Sequence, residues 1–131
     1  MNLLLDTHVA LWAITGDARL PDAIAAMIGD ARNEVFISAA SIWEIALKHG
    51  LARGGPNDMP LSGAQALTYF DEAGYRMLPI TPDHAAAIET LPPLHGDPFD
   101  RLLIAQALTE PLRLLTHDSR IAAYGEPVMW F

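Results

Sequence analysis

The sequence predicts an α/β domain: a central parallel sheet of four to five strands with helices on both faces. Three observations carry that expectation. Short apolar runs recur along the chain without the alternation of a strand that has one wet face, so they read as strands buried on both sides. Helical patterns separate them, and strands that alternate with helices pair in parallel through right-handed crossovers. The length of 131 residues suits one domain spanning residues 1–131. At that size folding buries roughly two-thirds of the unfolded chain's surface, and 51% hydrophobic residues supply the core.

Leu3-Leu4-Leu5 is the first run and ends at Asp6. His8 to Thr15 reads as a helix stopped at Gly16-Asp17, and Pro21 to Ala31 as a second with its proline in the first turn. Glu34-Val35-Phe36-Ile37 is the second run and ends at Ser38. Ser38 or Ser41 then caps a helix reaching about Lys48, with Gly50 as its stop. Arg53 to Pro60, with Gly54-Gly55-Pro56-Asn57, reads as a mobile surface loop. Leu61 to Ala73 is helical and ends before Gly74. Arg76 to Ile80 is the third run, followed by a helix from Pro82 to Thr90 that stops before Pro92-Pro93. Pro98 to Glu110 is helical and precedes Pro111. Leu112 to Leu115 is the fourth run, followed by Thr116-His117-Asp118. A short helix from Ser119 to Tyr124 ends at Gly125, and Pro127 to Phe131 is the last run.

The chain has no cysteine, which excludes disulfides and thiolate zinc sites and fits a reducing compartment. No apolar run approaches the roughly 18 residues of a membrane span. Met1 to Leu5 has no basic region before Asp6, unlike a secretory signal. A soluble cytoplasmic protein with no membrane partner is the expectation. The net charge of −8 runs against a protein that holds nucleic acid by phosphate neutralisation alone. Either the partner is not nucleic acid, or the acids are concentrated where cations bind.

The placement of the acids bears on that choice. Open parallel sheets bind ligands at the carboxyl ends of their strands. Asp6 closes the first run and Asp118 lies just past the fourth. Glu44 lies in the first turns of the helix after the second run, and Asp97 and Asp100 open the helix at Pro98. Each also has a structural reading. Asp6, Asp97 and Asp118 suit helix caps, and Asp100 suits an acid-favouring first turn. Glu44 suits a capping box with Ser41 or an ion pair with Lys48. Yet Glu44 sits in the nearly apolar Ile42-Trp43-Glu44-Ile45-Ala46, where a structural acid is less expected. Two carboxylates about 5 Å apart repel by roughly 3 kcal/mol at an effective dielectric of about 20. Four together bind protons unless a cation neutralises them. Oxygen ligands without cysteine favour Mg²⁺ or Mn²⁺ over zinc, and such ions serve phosphoryl transfer.

Four blocks carry a resemblance: LLLDTHVALW (Leu3 to Trp12), SAASIWEIALKHG (Ser38 to Gly50), LPPLHGDPFDRLLIAQA (Leu91 to Ala107) and LLTHD (Leu114 to Asp118). In this order and spacing, the chain resembles the PIN-domain nucleases, specifically the VapC-type toxins of bacterial type II toxin–antitoxin pairs, over nearly its whole length. The resemblance implies a PIN-like (Rossmann-like) three-layer α/β/α fold, a homodimer and a cognate antitoxin protein. It also implies an endoribonuclease that hydrolyses RNA phosphodiester bonds with water activated by Mg²⁺ or Mn²⁺. Asp6, Glu44, Asp100 and Asp118 match the family's four catalytic, metal-holding acids, and Asp97 is an accessory acid of relatives with the DPFDR block. Arg101 in that block reads as a phosphate contact, a residue that holds Asp97, or half of a surface ion pair. Thr7 and Thr116 read as accessory hydroxyls that orient water or carboxylates, and Ser38 has that option beside capping. The loop from Ala52 to Pro60 departs from the family, being poor in basic residues, and leaves RNA contacts there open. Glu110-Pro111, where relatives often carry a glycine, is expected to touch only the loop.

His8, His95 and His117 lie near the inferred site, as substrate contacts or as structural or solvated histidines. Trp12, Trp43 and Trp130 offer base-stacking surfaces, but core or dimer packing is the expectation, Trp12 with Val9 and Leu11 and Trp43 beside Ile42. Two other classes compete: another metal-dependent α/β phosphohydrolase, and a non-catalytic PIN-like interaction module. His8 stands where a haloacid-dehalogenase-type phosphatase needs a second aspartate. A receiver-like switch would want a lysine in the last run, which has none. All four acids are present, which argues against a decayed site.

Overall fold

The computed structural model describes residues 1–131. Its centre is a five-stranded, wholly parallel sheet of β1 (Asn2–Leu5), β2 (Glu34–Ser38), β3 (Arg76–Leu78), β4 (Arg113–Thr116) and β5 (Val128–Trp130), ordered β3-β2-β1-β4-β5. Around it lie α1 (Thr7–Thr15), α2 (Asp22–Gly29), α3 (Ala39–Gly50), α4 (Gly63–Glu72), α5 (Pro82–Ala87), α6 (Pro98–Thr109) and α7 (Ser119–Ala122). Every expected strand and helix forms, and no helix is long and apolar enough to cross a membrane.

Leu3-Leu4-Leu5 shows why the sheet is the middle layer. All three side chains are fully buried. Successive strand residues point to opposite faces. Leu3 and Leu5 therefore join Val35, Ile37 and Leu115 against Trp12 of α1, Ile45 of α3 and Phe70 of α4. Leu4 joins Leu114 on the other face, against Leu103 and Ile104 of α6 and Ile121 of α7. Each fully buried leucine contributes roughly 1.5–3 kcal/mol, so an apolar run without alternation is what this position selects.

Several local expectations change. β3 and β5 are edge strands, and their runs are not buried on both faces: Met77 is 40% and Trp130 61% exposed. Pro21 has extended backbone and forms the N-cap of α2, so the proline precedes the first turn. Ser38 caps α3 by accepting the Ala40 N–H. Ser41 instead accepts a hydrogen bond from the Thr7 hydroxyl at 2.9 Å, which removes the capping box around Glu44. Gly50 is the last helical residue of α3 rather than its stop. A capping box of Ser62 and Gln65 starts α4 at Gly63. There a Cβ would sit 3.0 Å from the Ala46 Cβ, so the glycine lets α4 approach α3. α5 ends at Ala87, where a 3₁₀ turn, Ile88–Thr90, takes over. Between α3 and α4, the Asp58 carboxylate gathers the N–H groups of Arg53, Gly54 and Gly55.

One buried polar network joins the layers. The Ser38 hydroxyl donates to Gln106 Oε1 at 2.5 Å. Gln106 Nε2 donates to the Pro79 carbonyl and lies 3.3 Å from His84 Nδ1. His84, fully buried, also accepts the Thr81 N–H, and its Nε2 lies 2.6 Å from Glu110 Oε2. Glu110 therefore does more than shape a loop, as it partners a histidine with no access to water. The substitution Gln106→Met keeps the volume but strips partners from Ser38 and His84. Leaving buried polar groups unpaired costs about 1–3 kcal/mol. We expect a loss of that size in the urea unfolding free energy, and an unchanged midpoint would contradict the network's role.

Candidate metal centre

Strands β2 and β3 extend the sheet on one side of β1, and the chain then returns to lay β4 on the other. The strand order thus reverses between β1 and β4, where open parallel sheets form ligand crevices. Asp6 follows β1 directly, and its N–H donates to the Leu115 carbonyl of β4 at 3.0 Å. Its Oδ1 accepts the Thr7 N–H at 2.7 Å, which caps α1, and its Oδ2 accepts the Thr116 hydroxyl at 2.8 Å. Thr116 Oγ1 in turn accepts the Asp118 N–H at 3.0 Å, so one hydroxyl positions both acids. Asp118 caps α7, and Arg120 forks onto its two oxygens at 3.1 and 2.8 Å. That guanidinium holds the Asp118 carboxyl below the usual carboxylate range.

Glu44 and Asp100 reach the same place from opposite faces of the sheet. Glu44 of α3 is 3% exposed. Its Oε2 accepts a hydrogen bond from Lys48 Nζ at 2.6 Å, as the sequence spacing suggested, while its Oε1 is buried with no partner. Asp100 of α6 is also buried, and its Oδ2 lies 2.7 Å from His95 Nε2. Burial, then the charges of Asp6, Asp97 and Glu44, push Asp100 up to about 6 against the opposing bond from His95. Burial likewise raises Asp6, despite its bond to Thr116, the nearby His8 and its bond to Thr7.

All four acids line one cavity of about 390 Å³, which Lys48, Arg120, Asp97, His8, His117 and Trp12 also border. A cavity of similar size beside α2 gathers no such cluster, its Asp30 and Glu34 being paired to Arg32 and Arg76 at the surface. A buried carboxylate oxygen without a partner and a carboxyl raised to about 6 mark a site short of positive charge. Carboxylate oxygens with an imidazole at hand fit a divalent cation.

Comparison with known proteins identifies the family. Residues 3–127 match the family model described as PIN domain. The chain belongs to the PIN-domain family. It is 35% identical over 127 residues to Ribonuclease VapC22 of Mycobacterium tuberculosis, covering 96% of this chain and 94% of that relative. Among solved structures it is similar to VapBC2 from Rickettsia felis bound to a promoter DNA fragment, with a TM-score of 0.70 at 14% identity, covering 100% of this chain and 98% of that one. DNA-bound VapBC from Salmonella typhimurium gives a TM-score of 0.68 at 14% identity, covering 100% and 97%. At these identities the structural likeness shows the shared fold.

In this PIN domain the expected acids share a cavity, and one imidazole lies close to two of them. His95, Asp100 and Asp118 each offer an atom within 4.8 Å of the others. Asp97 lines the cavity while capping α6 through the N–H groups of Phe99 and Asp100. Thr116 orients carboxylates as expected, whereas the Thr7 hydroxyl bonds Ser41 and only its N–H reaches Asp6. The Arg101 guanidinium meets neither the Asp97 carboxylate nor the cavity, and only the Arg101 backbone N–H reaches the Asp97 carbonyl, at 3.0 Å. Its guanidinium is occupied by the carbonyls of Ile88, Pro92 and His95 and by the Tyr124 hydroxyl. His117 packs between Trp12 and Phe131, and its Nδ1 meets the Phe131 carbonyl. Of the tryptophans only Trp12 packs in the core, and Trp43 is 58% exposed, edge-on to Phe99.

Sequence reasoning missed Arg120. Its signal was a repeated Asp-x-Arg spacing, since Arg19 and Arg32 fork onto Asp17 and Asp30 in the same way. The Asp100 shift has a sign that can be tested. A carboxyl raised in the folded state stabilises the fold fully below its ordinary value of 3.8 and loses that contribution as pH climbs through about 6. Asp100→Asn should therefore stabilise the protein at pH 7 in chelator, by about 1–3 kcal/mol, read from urea unfolding. A less stable Asp100→Asn protein under those conditions would contradict the burial and neighbouring charges that raise this carboxyl.

Proposed function

We propose that this chain is a divalent-metal-dependent endoribonuclease that hydrolyses RNA phosphodiester bonds and serves as the toxin of a toxin–antitoxin pair. The observation that carries this reading is the convergence of Asp6, Glu44, Asp100 and Asp118 from four segments on one cavity, with Glu44 Oε1 buried and unpartnered. The 35% identity to a protein named a ribonuclease supports RNA as the substrate. The likeness to VapBC assemblies supports a cognate antitoxin.

The four acids would hold Mg²⁺ or Mn²⁺, with Asp97 in an outer role. When bound, the ion supplies positive charge to a phosphoryl oxygen and makes a nearby water more acidic. The chain's own residues set the geometry. Thr116 fixes Asp6 and Asp118 relative to each other, and Trp12 and His117 wall the cavity. Lys48 and Arg120 are its two permanent cations, on side chains 44% and 67% exposed that can swing to phosphate. A second cavity of about 610 Å³ shares His8 and Trp12 and is bounded by Pro56, Asn57 and Pro60. It extends the groove for neighbouring nucleotides, where single strands are read by shape and stacking. Exposed Trp43, Leu47 and Leu51, four residues apart along α3 and its end, give the homodimer an apolar face. The protein acts in the cytoplasm.

Purified protein should cleave single-stranded RNA with Mg²⁺ or Mn²⁺ and leave 5′-phosphate ends. Chelator should abolish cleavage, and Asp6→Asn should reduce it by at least about 100-fold. Expression should arrest growth, and Asp6→Asn should relieve the arrest. Cleavage that persists in chelator, or a fully active Asp6→Asn protein, would overturn the assignment.

A further inference from the structure

We propose that His95 is a direct metal ligand alongside Asp100 and Asp118, adding one nitrogen donor that favours Mn²⁺ and other nitrogen-accepting first-row ions over Mg²⁺. This rests on the reading of the cavity as a metal centre. At the sheet edge His95, Asp100 and Asp118 form a cluster whose ligand atoms all lie within 4.8 Å of one another. Donors opposite each other across an ion at about 2.1 Å are about 4.2 Å apart, so this set closes on an ion with small movements. The two oxygens of Asp6 each already accept a hydrogen bond, from Thr7 and Thr116. Glu44, 3% exposed, brings an oxygen with no partner to the cavity that Asp100 and Asp118 line, an acceptor free for a cation and independent of the His95 cluster.

The backbone around His95 is held in a way a solvated histidine would not need. Its N–H donates to the Tyr124 hydroxyl at 3.1 Å, and its carbonyl accepts from Arg101 Nη1. Arg101 also holds the Tyr124 hydroxyl at 3.0 Å and the carbonyls of Pro92 and Ile88. The loop is thereby pinned to α6 and to Tyr124, two residues past the end of α7, and the His95 side chain, 7% exposed, is set against Asp100 at 2.7 Å. The ring would offer its Nε2, the atom that lies 2.7 Å from Asp100, as the ligand atom. Mg²⁺ prefers oxygen and water, whereas first-row transition ions accept imidazole more readily, Mn²⁺ least among them but still above Mg²⁺. The arginine and tyrosine thus act at a distance, by positioning a ligand.

Pulsed electron paramagnetic resonance of Mn²⁺ bound to the protein reads this directly. We expect coupling to a nitrogen nucleus, lost in His95→Gln and kept in His8→Gln and His117→Gln. By calorimetry, His95→Gln should weaken Mn²⁺ binding by about tenfold or more and Mg²⁺ binding by less than about threefold. The wild-type spectrum and the two control variants decide the matter even where His95→Gln does not fold. Mn²⁺ that binds in an Asp100-dependent way without nitrogen coupling overturns the inference, as does an equal loss for both ions; His95 would then only orient Asp100. If neither ion binds in a way that Asp100→Asn disrupts, the metal centre falls as well.

Discussion

Carboxylates gathered at the β1–β4 edge are held together against their own repulsion, and most polar contacts nearby serve to offset it. Thr116 and the Thr7 N–H take up Asp6, Lys48 takes one oxygen of Glu44, Arg120 both oxygens of Asp118, and His95 one oxygen of Asp100. The compensation is incomplete. One oxygen of Glu44 has no partner, and Asp100 is pushed up to about 6. Burial that serves only stability would not leave both defects in one cavity, because each costs free energy that an apolar residue would spare.

The structural and chemical readings of these acids are compatible. Asp6, Asp97 and Asp118 cap α1, α6 and α7, each accepting backbone N–H groups. A helix N-terminus carries partial positive charge and favours a carboxylate there. Three helices starting at one sheet edge therefore lower the cost of crowding acids, and their caps are the groups that face the cavity. Asparagine caps as well as aspartate, so an Asp→Asn change at these positions removes charge while keeping the fold's local geometry.

The fold was legible because it rests on periodicity. Leu3-Leu4-Leu5 lacks alternation for the reason seen in the structure, with both faces of β1 covered. Edge position is not written in such a run, and β5, with Trp130 exposed, reads like a central strand. The acids were legible because each closes a strand or opens a helix. The contacts that fix polar side chains were not, since their partners come from tertiary placement. His95 meets Asp100 only because Arg101 and Tyr124 hold an irregular loop, and Glu110 meets His84 across 26 positions. Choosing between Ser38 and Ser41 as the α3 cap depended on where the Thr7 hydroxyl would point.

The same accounting explains how an acidic chain can work on a polyanion. Of its eight lysines and arginines, Arg19, Arg32, Arg120, Arg76 and Lys48 are paired with acids, and Arg101 is occupied by loop carbonyls and Tyr124. Arg53 and Arg113 are too few to hold RNA by neutralising phosphates along its length. What attraction the surface lacks must come from the cavity, where a cation bound by the acids would free Lys48 and Arg120 from Glu44 and Asp118. If the acids hold a cation, those two side chains would turn to phosphate only when the site is loaded. On this reading the net charge of −8 couples substrate binding to metal binding, and an unloaded protein has little affinity for the polymer it cuts.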